Sequence, residues 1–148
     1  MPVWLIILIA LVFGIGVFAL LWWIVSRAAK NSLKEWKKEY PGAQVIYISN
    51  GANCASFPGE KVNLRGNGLL ILTPDSIHFK LWAPRKSLRI PIHKIFTVDT
   101  VRKFAGRLGR VRMLHVAYET ESGSLYETTW ALPGAETWVD TIRELKKG

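Results

Sequence analysis

One run of residues limits this chain more than any other feature. Val3 to Val25 is 23 residues long and uncharged, and 16 of the 23 are Leu, Ile, Val or Phe. Each such residue favours bilayer insertion by roughly 0.3–0.6 kcal/mol, so together they favour it by about 5–10 kcal/mol. As a helix rising about 1.5 Å per residue, the run reaches roughly 34 Å and crosses a hydrocarbon core of about 30 Å. Trp4 stands at one end and Trp22 and Trp23 at the other, where amphipathic rings suit the two headgroup layers. A cleaved signal peptide needs a basic start, a shorter apolar core and small residues at the cleavage site. Here nothing basic precedes the run, and Trp22-Trp23 occupies the place of the small residues. Residues 1–25 therefore read as one transmembrane helix.

The flanks give an orientation. Only Met1 and Pro2 precede the run, whereas Arg27, Lys30, Lys34, Lys37 and Lys38 follow it, against Glu35 and Glu39. Positive flanks stay inside, so the N-terminus is expected outside the cell membrane and the C-terminal domain in the cytoplasm. A single cysteine, Cys54, agrees with a reducing compartment. Arg27 and Lys30 join the three tryptophans as candidate membrane-interface residues. Ala10 and Gly14 form a small-x-x-x-small pair, which is either ordinary for a span or a seat for a second copy.

Residues 26–42 read as a basic stalk. No Gly or Pro occurs between Val17 and Tyr40, so the helix is expected to leave the membrane unbroken and stop at Pro41-Gly42. Ala29, Leu33, Trp36 and Tyr40 form one helical stripe. Three partners suit that stripe: the following domain, the membrane surface or another stalk. Lys34/Lys38 and Glu35/Glu39 each set like charges four residues apart, which weakens an isolated helix.

Residues 43–148 read as short strands and one final helix. Expected strands are Gln44–Ser49, Val62–Thr73, Ser76–Trp82, Lys86–Ile92, Ile95–Phe104, Val111–Glu119 and Ser124–Leu132. Ile77, Phe79 and Leu81 share one face of the third strand, and His78, Lys80 and Trp82 the other. Pro74-Asp75, Pro84-Arg85 and Glu121-Ser122-Gly123 mark turns. After Pro133-Gly134, Trp138, Ile142 and Leu145 fall at helical spacing. Glu136 and Asp140 lie early in that helix and Lys146 and Lys147 at its end, in keeping with its dipole. The expectation is about seven antiparallel strands in a partly open barrel, with the helix capping an open end.

Certain residues carry a resemblance. They are Arg65-Gly66-Asn67-Gly68-Leu69-Leu70-Ile71-Leu72-Thr73-Pro74-Asp75, then Ile77-His78-Phe79, then Leu88-Arg89-Ile90-Pro91-Ile92 and Ile95. This stretch resembles bacterial pleckstrin-homology-like and GRAM-like domains, and Trp130 and the Trp138 helix resemble that fold's ending. The resemblance covers roughly residues 43–146. It implies a mainly-β domain that holds lipid headgroups, peptides or other proteins, and fold alone does not choose among them. The phosphoinositide-binding pattern of that family is incomplete here: Lys61 and Arg65 are present, but Asn67 stands where a second basic residue belongs.

Charge is uneven along the chain. The formal net charge is +9, yet residues 26–40 carry +3, residues 61–112 carry +10 and residues 113–148 carry −3. Two basic groups stand out. Lys80, Arg85, Lys86 and Arg89 surround one hairpin with Trp82 at its tip. Arg102, Lys103, Arg107, Arg110 and Arg112 surround an expected loop, Gly106–Gly109. Arg forks and glycine-exposed backbone N–H groups suit phosphate. Both groups are candidate anion sites, for anionic phospholipid or an acidic protein partner; a solvated basic face is the plainer alternative.

Catalytic chemistry is not indicated. His78, His93 and His115 have no metal-ligand spacing, and no HExxH, P-loop or GxSxG motif occurs. Cys54 has no activating neighbour and reads as a buried structural residue. No recognition motif supports nucleic-acid binding despite a pI near 9.9. The expected protein is a non-enzymatic, cofactor-free, single-span anchor that displays a binding or scaffolding module. Headgroup contact is its first function and protein docking its alternative. In sealed vesicles with the outer face exposed, added protease should leave residues 41–148 intact until detergent opens the membrane; cleavage before detergent reverses the orientation.

Overall fold

The structure is a computed structural model that describes residues 1–57, 64–82, 84–104 and 107–148. Helix α1 (Val3–Glu39) is 37 residues long and unbroken. Its last turn closes through Tyr40 N–H donating to the Trp36 carbonyl, and Gly42 then turns the chain at φ +76°. The stop at Pro41-Gly42 is the one expected, because proline cannot continue the ladder and glycine tolerates the left-handed turn. Span and stalk are thus one rod. Residues 6–25 are all exposed, whereas Ala29 and Trp36 are buried.

Seven antiparallel strands follow: β1 (Tyr47–Phe57), β2 (Leu64–Leu72), β3 (Ser76–Leu81), β4 (Lys86–Pro91), β5 (Ile95–Phe104), β6 (Arg107–Glu119) and β7 (Leu125–Ala131). A 3-10 turn (Ile92–Lys94) joins β4 to β5, and α2 (Ala135–Lys147) ends the fold. The strands form one open sheet in the order β4-β3-β2-β1-β7-β6-β5. The β2–β3 turn is held by the Thr73 hydroxyl, which donates to Asp75 Oδ1 at 2.7 Å and accepts from Ser76 N–H at 3.2 Å.

Two segments differ from the sequence expectation. β1 starts later and runs longer than Gln44–Ser49. Its register shifts between Asn50 and Ala52, and Gly51, at φ +100°, supplies the bulge that lets a polar stretch stay in the sheet. The expected Gly106–Gly109 loop is mostly strand: Lys103 pairs with Leu108 and Phe104 with Arg107. Only positions 105 and 106 separate β5 from β6, and Gly109 lies within β6, in the irregular stretch between the Leu108 and Met113 pairings.

The sheet curls around one core. Phe79 on β3 and Trp130 on β7 bring their ring centroids within 5.7 Å, although β2 and β1 stand between these strands. Leu70, Leu72, Ile77, Leu81, Ile90, Leu114 and Val116 join them, and Trp138, Val139 and Ile142 of α2 cover the cluster. Arg143 Nη2 donates to the Val98 carbonyl at 3.1 Å and Lys146 Nζ to the Phe96 carbonyl at 2.9 Å, tying α2 to β5. Cys54 is fully buried, its Sγ 3.7 Å from Thr128 Oγ1.

Gly68 sits where a side chain has no room. A Cβ there would run into the Lys80 carbonyl oxygen and lie 2.8 Å from the Phe79 ring. Gly68→Ala should therefore destabilise the domain by about 1–3 kcal/mol in chemical unfolding. Gly16→Ala, with nothing within 4 Å, should leave that transition unmoved.

Candidate functional site

The outer face of β3 is not a solvated face. His78 is only 6% exposed and the Lys80 side chain 16%. The cover is the stalk. Trp36, 1% exposed, packs with Leu69 and Ile71 of β2, and Leu33 and Tyr40 complete the patch. The imidazole of His78 meets the Trp36 ring edge-on at 5.4 Å and the Tyr40 ring at 4.6 Å. The Ala29-Leu33-Trp36-Tyr40 stripe therefore takes the first of its three possible partners, the domain that follows it.

Charge is matched across this contact. Lys80 Nζ lies 3.4 Å from Glu39 and 4.0 Å from Glu35, and Arg85 Nη1 lies 3.5 Å from Glu35. The like-charged Glu35/Glu39 pair, unfavourable for a lone helix, is explained by the two cations facing it. The glutamates are about half exposed, so each ion pair contributes only about 0–1 kcal/mol. Removing a buried tryptophan costs about 3–5 kcal/mol. Packing of Trp36 thus holds the stalk, and the ion pairs set its register. The Trp36 indole nitrogen is buried without a hydrogen-bond partner among the described residues, which fits a contact made by packing.

The stalk runs antiparallel to β3. Trp36 and Tyr40 meet His78, Glu35 and Glu39 meet Lys80, and Ala28 and Ser32 line a small cleft with Trp82, Arg85 and Lys86. The β3–β4 hairpin therefore points back toward the span. Near the same level, Arg27 places its guanidinium 5.1 Å from the Trp23 ring centre. Trp4, Trp22, Trp23, Arg27 and Lys30 are all exposed on α1.

The first basic group is brought together, with its members divided in role. Lys80 is engaged by the stalk, and Arg89 lies 3.6 Å from Asp75 at the far end of β3–β4. Arg85, 78% exposed, and Lys86 stay at the hairpin tip. In the second group, Arg102 and Lys103 are exposed on β5, and Arg112 lies 3.6 Å from Glu136 in the first turn of α2. The side chains of Arg107 and Arg110 lie outside the described residues, as do Gly106 and Lys61. No group of three or more His, Cys, Asp or Glu side chains suited to a metal occurs among the described residues.

No protein-family model matches this chain, and no curated protein matches it in sequence. Its fold is similar to the crystal structure of the C-terminal domain of an unknown protein from Leishmania infantum, at 13% identity and a TM-score of 0.54. That likeness covers 98% of the other chain and 80% of this one, a larger share than residues 43–148 supply, so part of α1 belongs to the shared fold. At this identity the likeness speaks for the fold alone.

His78 adds a pH dependence. Burial against the stalk, with the nearby Arg89 charge, lowers its pKa below the usual 6.5, while Asp75 and Glu39 oppose the shift. A lowered pKa means the exposed imidazole takes up a proton before the docked one. The His78 contribution to stability is thus complete above about 6.5 and falls as pH drops through the window below it. Chemical unfolding of wild type should show this loss and His78→Gln should not; parallel pH profiles would refute it.

Proposed function

We propose that the protein is a single-span membrane anchor whose folded domain stands at the cytoplasmic face and contacts anionic phospholipid headgroups through its basic residues. The observation that carries this reading is where burial begins on α1. Residues 6–25 are exposed, and a covered stripe begins at Ser26 and runs through Ala28, Ala29, Ser32, Leu33 and Trp36, so the domain packs against the rod within one turn of the apolar run. A domain held there stays within about 10 Å of the surface at its near end, inside the range of an anionic leaflet at 0.1 M salt. Basic residues at that distance contribute about 1 kcal/mol each.

The pleckstrin-homology-like resemblance supports a binding module rather than a catalyst. No enzymatic step, cofactor or nucleic acid enters this reading. One observation favours a second reading, protein docking by strand addition. β5 is a terminal strand of the sheet, and although α2 holds its Phe96 and Val98 carbonyls, the Phe96 residue is 56% exposed.

Lipid preference tests the first reading. The full chain is reconstituted in vesicles of phosphatidylcholine and phosphatidylglycerol, and energy transfer from its tryptophans to a dansyl-labelled lipid of either kind is measured. Transfer to the anionic probe should exceed transfer to the neutral one and fall with added salt. Arg85→Gln with Lys86→Gln should reduce the preference, by roughly fivefold per charge at about 1 kcal/mol each. Equal transfer to both probes at low salt contradicts lipid contact and favours protein docking.

A further inference from the structure

The stalk contact fixes more than attachment: it fixes depth. We infer that the β3–β4 hairpin tip, with Trp82, Arg85 and Lys86, is held in the headgroup layer of the bilayer that α1 crosses. This rests on the reading of residues 3–25 as a span, and it deepens the lipid contact proposed above by naming the part that makes it.

The inference follows from helix geometry. α1 is unbroken from Val3 to Glu39, so heights along it can be counted. Ala28 lies three residues beyond Val25, about 5 Å further along the axis, and Ser32 about 10 Å. A headgroup layer is roughly 5–8 Å thick on each side of the hydrocarbon core. Ala28, Ser32 and, one turn higher, Glu35 line the same cleft as Lys80, Trp82, Arg85 and Lys86. The side of the hairpin tip beside Ala28 therefore stands level with the headgroups and the side beside Ser32 at their outer edge, while Lys80 and His78 rise away from the membrane beside Glu35, Trp36 and Tyr40.

Chemistry at that level is mainly cationic, with Glu35 beside Arg85 at its upper edge. No Asp or Glu occurs in residues 1–34 or in residues 76–98. Glu35 lies 3.5 Å from Arg85 and 4.0 Å from Lys80, Glu39 stands one turn further up the stalk, and Asp75 sits at the opposite end of β3. Arg27, Lys30, Arg85 and Lys86 thus share one level with Trp22, Trp23 and Trp82. Cations among interfacial tryptophans match an anionic headgroup layer. The occupant is the protein's own membrane, not a second copy or a soluble ligand.

Depth can be read directly on the full chain. A nitroxide is attached at Pro84→Cys, an exposed position at the tip that leaves every basic residue in place, and at Glu121→Cys on the β6–β7 turn as a reference. Unlabelled wild type checks that buried Cys54 does not react. In nanodiscs of phosphatidylcholine alone, collision with a water-soluble nickel chelate should be severalfold lower at position 84 than at 121, and collision with oxygen higher. Trp36→Ala, which releases the stalk, should raise chelate access at 84 toward that at 121. Equal chelate access at both positions in the otherwise unaltered chain overturns the inference. Protection of 84 in neutral discs without any preference for the anionic probe leaves the depth standing and sinks the lipid-selective reading. Anionic preference with position 84 in water does the reverse, assigning lipid contact to another basic group.

Discussion

Trp36 is pressed onto the outside of the sheet, and most of the structure's consequences follow from that contact. Without it, the stalk would be a charged helix with like charges four residues apart and no reason to keep a fixed angle to the domain. With it, Leu69 and Ile71 gain a cover on the face turned away from the core, and His78 gains two aromatic neighbours. The sheet is then apolar on both faces along β2, which explains the continuous run Leu69-Leu70-Ile71-Leu72. Leu70 and Leu72 face the main core and Leu69 and Ile71 face the stalk. A strand buried on both sides loses the alternation that a half-solvated strand keeps.

The same contact redistributes the charge of the domain. A basic middle region of net +10 suggests one broad cationic surface. Lys80 instead belongs to an internal pairing with the stalk, while Arg89 and Arg112 sit beside Asp75 and Glu136. What stays at the near end of the rod is a narrower set, at the β3–β4 tip and the first turns of the stalk. The polarity of the protein is thus organised by height along α1 as much as by position in sequence.

Much of the architecture was legible in the residues. Alternation in β3 assigned Ile77, Phe79 and Leu81 to the core, and all three are buried. Proline and glycine placed the ends of both helices. The spacing of Trp138 and Ile142 gave the buried face of α2. The misses have local causes. A glycine bulge carried β1 through a polar stretch, and pairing of Leu108 and Arg107 with β5 extended β6 back past Gly109. The face of His78 and Lys80 was read correctly as the one opposite Ile77, Phe79 and Leu81, but its cover was not. Alternation tells which residues share a face, but not what covers the second face. The signal was present in two halves: an unpartnered aromatic stripe on the stalk, and a run of four apolar residues in β2 with too many hydrophobic positions for one core. Joining them needed the topology.

The central claim is that span, stalk and sheet move as one body because Trp36 is docked. Two nitroxides, at exposed Lys38 on the stalk and exposed Glu121 on the β6–β7 turn, test it by pulsed dipolar spectroscopy on the full chain in nanodiscs. A docked stalk gives one narrow distance distribution, which broadens when Trp36 is changed to Ala. A broad distribution in the chain that retains Trp36, unchanged by that substitution, contradicts the account.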